Sequence, residues 1–329
     1  MQPNHPEVTE IVASSTPAIL GPLRSLGLFT DTAISADATP TMASPSWWGA
    51  DSECFDVRAE AVDGEANSPS TAFVKSMIGH AGAYVDVAQA FAAATEAGEV
   101  GVGPAVYASD PAAGIMVSEN LVGTASTATL NVFDDDAQLE RLVTLRKRVR
   151  DFGSITRTAT VFDDVRALTK LAAANSVALP ADFDWMMRIL AMAEMRITAT
   201  GFDTVPCHGD GNVSNVLLAD DGRMLLVDWD VAAVMDPLQD IGVLLAEVRP
   251  FDSSAREAFE TAWGSFDQAL FDRARVYGVA DCVRWALIGA YADAARPGTL
   301  EYSKLSDWQF VRARAGLSDI HFHDRLRNL

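Results

Sequence analysis

The sequence predicts an α+β protein in two lobes, a smaller strand-built part first and a larger, mainly helical part after it. Three observations carry that prediction. The chain has 329 residues, more than one compact core usually organises. Up to about residue 120 its apolar residues fall into short β-like runs, and from Asp134 onward they recur at helical spacing. A hydrophobic content of 49% with positive mean hydropathy indicates a folded globular chain.

Taken in order, Val8, Ile11, Val12, Ile19, Leu20, Leu23 and Leu26 stand at mostly helical spacing and predict a leading helix that ends near Gly27. The loop Pro45-Ser46-Trp47-Trp48-Gly49-Ala50-Asp51 separates two predicted strands, the second through Cys54 to Arg58. The next strand, Ser70 to Ile78, carries one charge, Lys75. Burying an unpaired ammonium costs several kcal/mol or more, so Lys75 needs an anionic partner. A helix is expected from Tyr84 to Ala97, closed by Gly98. Strand-like runs at Ala105 to Tyr107 and Gly114 to Ser118 flank a turn with Pro111, and Glu119-Asn120-Leu121-Val122-Gly123 leads onward.

The second part opens on an amphipathic helix with Leu139, Leu142, Val143 and Leu145. Val161 to Ala174 predicts another helix, and a further one ends before Thr204. Leu244 to Glu247, Ala255 to Leu270, Val283 to Ala294 and Ser306 to Ala315 also read as helical.

Between these helices stands His208-Gly209-Asp210-Gly211-Asn212-Val213-Ser214-Asn215, followed by an apolar run and Asp228-Trp229-Asp230. An Asp five residues before an Asn, with a second Asp downstream, is a spacing that phosphoryl transfer uses. Asp210 can face an acceptor hydroxyl while Asn215, roughly a turn and a half further on, faces a metal and a triphosphate. The stretch between Asn215 and Asp228 reads as two short strands around an Asp-Gly turn, which returns Asp228 to the side of Asn215. Asp230, two residues on, shares a side with Asp228 in an extended segment and would face the metal or a cationic substrate.

With Asp236-Pro237 and Asp240-Ile241-Gly242 after it, this ordered set resembles the aminoglycoside phosphotransferase and choline/ethanolamine kinase superfamily. The stretch from Val161-Phe162-Asp163-Asp164 through Leu179-Pro180-Ala181-Asp182 is more similar to its choline-kinase-like branch. The resemblance implies a two-lobed protein-kinase-like fold: an N-terminal antiparallel-sheet lobe over residues 1–119 that binds the nucleotide, and a larger mainly helical catalytic and substrate-binding lobe over 120–329. It implies ATP and Mg²⁺, with the γ-phosphoryl group passing to a hydroxyl. Asp210 would accept the proton, and Asn215 and Asp228 would hold the metal. Lys75 would grip the phosphates, oriented by an acid of the following helix, Asp86 in preference to Glu96. Adenine would lie against main-chain groups around Ser118, Glu119, Asn120 and Leu121. The phosphate-covering hairpin falls at the Trp47-Trp48 loop, which departs from expectation in holding one glycine. His208 is read as a brace for the catalytic loop and Asp240 as its anchor from the next helix. Trp285 and Trp308, with Tyr291 and Tyr302, are candidates for a cation–π box around the substrate.

Composition narrows the partners. The formal charge is −20, from 45 acids and 25 bases, which argues against a nucleic-acid partner, whose recognition relies on clustered Lys and Arg. It suits an amine-bearing small substrate. Cys54, Cys207 and Cys282 are far apart and in no metal-binding pattern. No run approaches the 18 or so apolar residues of a membrane span, and the first residues lack a signal-peptide pattern, so a cytoplasmic protein is expected. The oligomeric state is left open. A regulatory nucleotide-binding pseudokinase is the rival reading, favoured by the glycine-poor loop and opposed by the intact Asp210, Asn215 and Asp228. A protein kinase is disfavoured, because Gly209 stands where that signature has Arg and no Asp-Phe-Gly or Ala-Pro-Glu occurs.

Overall fold

A computed structural model describes residues 16–29, 33–39, 49, 51–59 and 69–329. Val8, Ile11, Val12, Trp47 and Trp48 lie outside the described residues. The leading helix is seen as α1 (Thr16–Ser25), and β1 (Ile34–Ala38), β2 (Ser52–Ala59) and β3 (Thr71–Met77) follow. After a short 3-10 turn come α2 (Val87–Glu99), β4 (Val106–Asp110) and β5 (Ile115–Ser118). The five strands make one antiparallel sheet in the order β1-β2-β3-β5-β4.

Strand alternation gives this sheet two unlike faces. Phe55 and Val57, Ala72 and Val74, and Ile115 and Val117 pack with Ile19 and Leu23 of α1. The residues between them, Cys54, Phe73, Lys75, Met116 and Ser118, point the other way and roof a cleft. Lys75 therefore reaches the cleft from the sheet's central strand. The helix expected from Tyr84 starts at Val87, because the Asp86 carboxylate caps it by accepting from the Gln89 N–H at 3.1 Å.

The second part holds β6 (Ala125–Thr127), α3 (Asp136–Arg148), α4 (Val161–Ala174), α5 (Phe183–Thr200), β7 (Val205–Cys207), β8 (Val216–Ala219), β9 (Met224–Leu226) and β10 (Ala233–Met235). Five helices close the chain: α6 (Pro237–Val248), α7 (Asp252–Trp263), α8 (Gln268–Ala295), α9 (Tyr302–Leu317) and α10 (Phe322–Asn328). The boundaries of α4 match the expectation, set by a Thr160–Asp163 capping box. The single helix expected over Ala255 to Leu270 is two, since Asp267 caps α8 by accepting from the Leu270 N–H. Val283 to Ala294 is only the second half of α8, which packs against α4, α6, α9 and α10 and shows no simple apolar stripe because it is buried on most sides. The predicted hairpin is β8–β9, and β7 pairs antiparallel with β10. Among the described residues no helix is long and apolar enough to cross a membrane.

Candidate active site

The catalytic-loop candidate leaves the end of β7, and Asp228 to Asp230 forms the link from β9 to β10, so the β7–β10 pairing brings the two acidic motifs together. Gly209 has φ +78°, and an added Cβ would lie 2.8 Å from the Val231 carbonyl oxygen. Gly211 is tighter, its Cβ position falling 2.1 Å from the Val243 carbonyl oxygen on α6. Side chains are excluded at both places, which lets the loop lie directly against the helical part.

Asp210 is buried, and both its oxygens are held. The Asn212 N–H donates to Oδ1 at 2.8 Å and Asn215 Nδ2 to Oδ2 at 2.7 Å. Burial, with the charges of Asp228 and Asp281 nearby, pushes this carboxyl up to about 7 against the pull of the Asn212 N–H and Arg284. Asn215 sits on a 3-10 turn, and its carbonyl accepts from the Val227 N–H at 3.0 Å. That contact fixes the approach to Asp228, whose φ of +68° is unusual for a residue with a side chain.

Lys75 Nζ donates to Asp228 Oδ1 at 2.7 Å and lies 3.1 and 3.2 Å from the two oxygens of Asp230. Asp51, from the loop before β2, completes a set of three carboxylates with Asp228 and Asp230, one oxygen of each lying within 4.8 Å of the others. Burial opposes the Lys75 charge, but Asp228, Asp230 and Asp51 overcome it and hold the ammonium well above the usual lysine range. Burial and repulsion from Asp228 push Asp230 far up.

The anionic partners of Lys75 are thus on the strand-to-strand link, and two expectations for the helix after it are corrected. Asp86 is committed to capping α2. Glu96 accepts from the Gly153 and Ser154 N–H groups and the Ser154 hydroxyl. Both acids sit beside backbone donors that claim them first.

Lys75, Asp210, Asn215 and Asp228 line one cleft of about 320 Å³, together with Asp51, Ser118, Glu119, Leu121 and Trp285. Phe73, Val106, Met116, Leu217 and Leu226 form its apolar walls. The Asn120 side chain is turned to other partners, its Nδ2 donating to Asp56 at 2.6 Å and its Oδ1 accepting from the Val122 N–H, while its neighbours Glu119 and Leu121 line the cleft. Glu119 turns its carboxylate to Arg223 at the tip of the β8–β9 hairpin, 2.8 Å away. Of the four aromatics proposed as a box, Trp285 lines the cleft and the small recess beside Asp210. Trp308 is 46% exposed on α9 and lines neither, Tyr302 donates its hydroxyl to the Gly49 carbonyl, and Tyr291 packs edge-on against Tyr84. Helical spacing placed them on nearby turns but not on one face.

His208 Nε2 donates to the Val227 carbonyl at 3.0 Å, and its Nδ1 receives the Asp210 N–H at 3.4 Å. Burial and Arg146 hold the ring down to about 4, so it is a neutral brace between the two motifs. Between pH 6.5 and 4 the unfolded chain binds a proton here that the folded chain refuses, so this contribution to stability is complete above 6.5 and lost as pH falls through 4. The stability difference between wild type and His208→Asn, by urea denaturation, is expected to shrink by roughly 3 kcal/mol over that window. A difference independent of pH would contradict the neutral buried ring.

Asp51, Arg146 and Arg284 escaped the sequence reading. The useful sign for Arg146 was its place on the same helical stripe as Leu139, Leu142 and Val143, all buried. Arg146 is bidentate to Asp240, which accepts from the Gly209 N–H.

Comparison with known proteins matches residues 77–279 to the phosphotransferase enzyme family. Among solved structures, the chain is similar to a choline/ethanolamine kinase family protein from Mesorhizobium loti, with 22% identity, a TM-score of 0.68 and coverage of 89% of this chain and 92% of that one. Choline kinase LicA from Streptococcus pneumoniae gives 15%, 0.70, 92% and 98%. The GDP and kanamycin complex of APH(2")-IIia gives 13%, 0.62, 92% and 99%. LicA has also been solved in complex with AMP. These likenesses establish a shared fold.

Proposed function

The chain belongs to the phosphotransferase enzyme family, and from this we propose that it is a small-molecule kinase that passes the γ-phosphoryl group of ATP to a hydroxyl of an amine-bearing acceptor. The observation that carries this reading is that Lys75, from the N-terminal sheet, pairs with Asp228 in the cleft that Asp210 also lines from the second part of the fold. Residues 1–119 would serve the nucleotide and 120–329 the chemistry and the acceptor.

In this mechanism Asp210, with both oxygens oriented by Asn212 and Asn215, aligns the acceptor hydroxyl and takes its proton as the oxygen attacks the γ-phosphorus and the bond to the ADP oxygen breaks. Lys75 neutralises phosphate charge, and the apolar walls around Ser118 to Leu121 receive the base. The donor set suits magnesium: hard carboxylate oxygens from Asp228, Asp230 and Asp51 gathered within 4.8 Å, with Asn215 lining the same cleft and able to add its amide oxygen. Bound there, magnesium would offset phosphate charge and hold the transferring group in line. In the small recess beside Asp210, Glu247 lies 3.6 Å from Arg312 and Asp281 2.6 Å from Arg284, so the group there that offers a face to an amine-bearing acceptor is Trp285, which also lines the cleft.

The test is ADP release from Mg-ATP across choline, ethanolamine, aminoglycosides and sugar or amino-acid alcohols. Acceptor-dependent release on an amino alcohol or aminoglycoside is expected. Nucleotide binding with no turnover on any acceptor would instead mark a pseudokinase, and turnover confined to uncharged alcohols would remove the amine.

A further inference from the structure

Gly209 cannot carry a side chain, so the catalytic loop has no basic residue of its own beside Asp210. Positive charge arrives from elsewhere. Arg146 on α3 and Arg284 on α8 are buried, at 7% and 1% exposure. Each forms ion pairs: Arg146 with Asp240 at 2.6 Å, and Arg284 with Asp281 at 2.6 Å and Asp164 at 3.3 Å. Charge balance alone would end there. Each guanidinium instead spends a further contact on the loop, Arg146 Nη1 donating to the Asp210 carbonyl at 2.6 Å and Arg284 Nη2 to the Gly209 carbonyl at 2.7 Å.

We propose that Arg146 and Arg284 are positioning residues that set the catalytic loop by holding its successive carbonyls at Asp210 and Gly209. With the Gly209 N–H on Asp240, two consecutive residues of the loop are fixed through their main chain from three helices, α3, α6 and α8. A planar, forked guanidinium reaches the carboxylate and the carbonyl with separate, divergent nitrogens; lysine keeps the charge but can serve both only if they lie within reach of one nitrogen. Reacting groups displaced by about 1 Å can lose on the order of a hundredfold in rate, so the geometry of this clamp bears on turnover more than on binding.

The inference rests on the reading of Asp210 as the proton acceptor, and the experiment separates the two. Arg146→Lys and Arg284→Lys are prepared as full-length chains. Amide hydrogen exchange over residues 208–215 is followed without any ligand, and kcat and KM for Mg-ATP are measured with whichever panel acceptor the wild type uses. Faster exchange confined to that loop, with kcat lower by about 10- to 100-fold and KM within about twofold, is expected. Exchange at the wild-type level across the loop overturns the clamp whatever the kinetics. So does exchange raised throughout the chain, or a kcat loss matched by an equal loss of nucleotide affinity, since either shows only structural support. If the wild type turns over no acceptor, the kinase reading fails while the exchange arm still decides the clamp.

Discussion

Substituting Asp210 with asparagine is expected to abolish most turnover and at the same time to stabilise the protein at alkaline pH. The loss of a positioned proton acceptor costs on the order of 10²- to 10⁴-fold in rate. Asparagine keeps the shape, and Asn215 can present its amide oxygen in place of its NH₂, so the loop need not move. The stability change follows from burial. The Asp210 carboxyl stands at about 7 in the folded chain against an ordinary value near 3.9. Between these values the folded state binds the proton that the unfolded state has released, so stability falls as pH rises across that interval and the loss is complete above 7. Asparagine carries no such cost. Its advantage should be near zero at pH 4 and approach roughly 4 kcal/mol at pH 8. Wild-type turnover should in turn fall as pH is lowered through 7, where the acceptor becomes protonated. Denaturation curves at both pH values, with a pH–rate profile, check all three; an Asp210→Asn variant that is less stable at pH 8 would show that the carboxylate is held by favourable contacts instead.

The second large effect is expected at Lys75. Replacing it with methionine preserves much of the stem packing but leaves Asp51, Asp228 and Asp230 gathered with no ammonium among them. Breaking a buried ion pair from one side typically costs about 3–5 kcal/mol, because the remaining charge is stranded. The cost should be partly relieved when pH is lowered and Asp230 takes a proton, or when magnesium is added. Urea denaturation of wild type and Lys75→Met with and without magnesium reads this directly. The variant should gain more from the metal than the wild type does, and equal gains would mean that the carboxylates are not the metal's ligands. Its KM for nucleotide should rise, since the phosphate charge then meets carboxylates alone.

Local pattern carried far in this chain. As the one charge in its strand-like run, Lys75 stood out in the sequence, and the structure places it on the central strand facing the cleft. The β8–β9 hairpin and the limits of α4 are also short-range features, set by a turn and a capping box that adjoin the residues they govern. The roles of the Asn120 and Asp86 side chains were illegible for the opposite reason. A polar side chain near the right place has several partners within reach, and which one it takes depends on groups far away in sequence or on its own helix end.

The order of the chemistry is written in the amino-acid chain before it folds: a carboxylate, an amide and a second carboxylate at fixed spacing, a lone lysine on a strand, and the split between strands and helices. These depend on periodicity and short-range geometry, which a segment keeps in any surroundings. Partnership is a property of the folded molecule. Folding paired Lys75 with Asp228 and Asp230 across more than 150 positions, brought Asp51 to them, left Trp308 outside, and sent Arg146 and Arg284 to the carbonyls of the catalytic loop. Such pairings are set by which buried charges must be satisfied once the helices have packed, and no local window contains both partners.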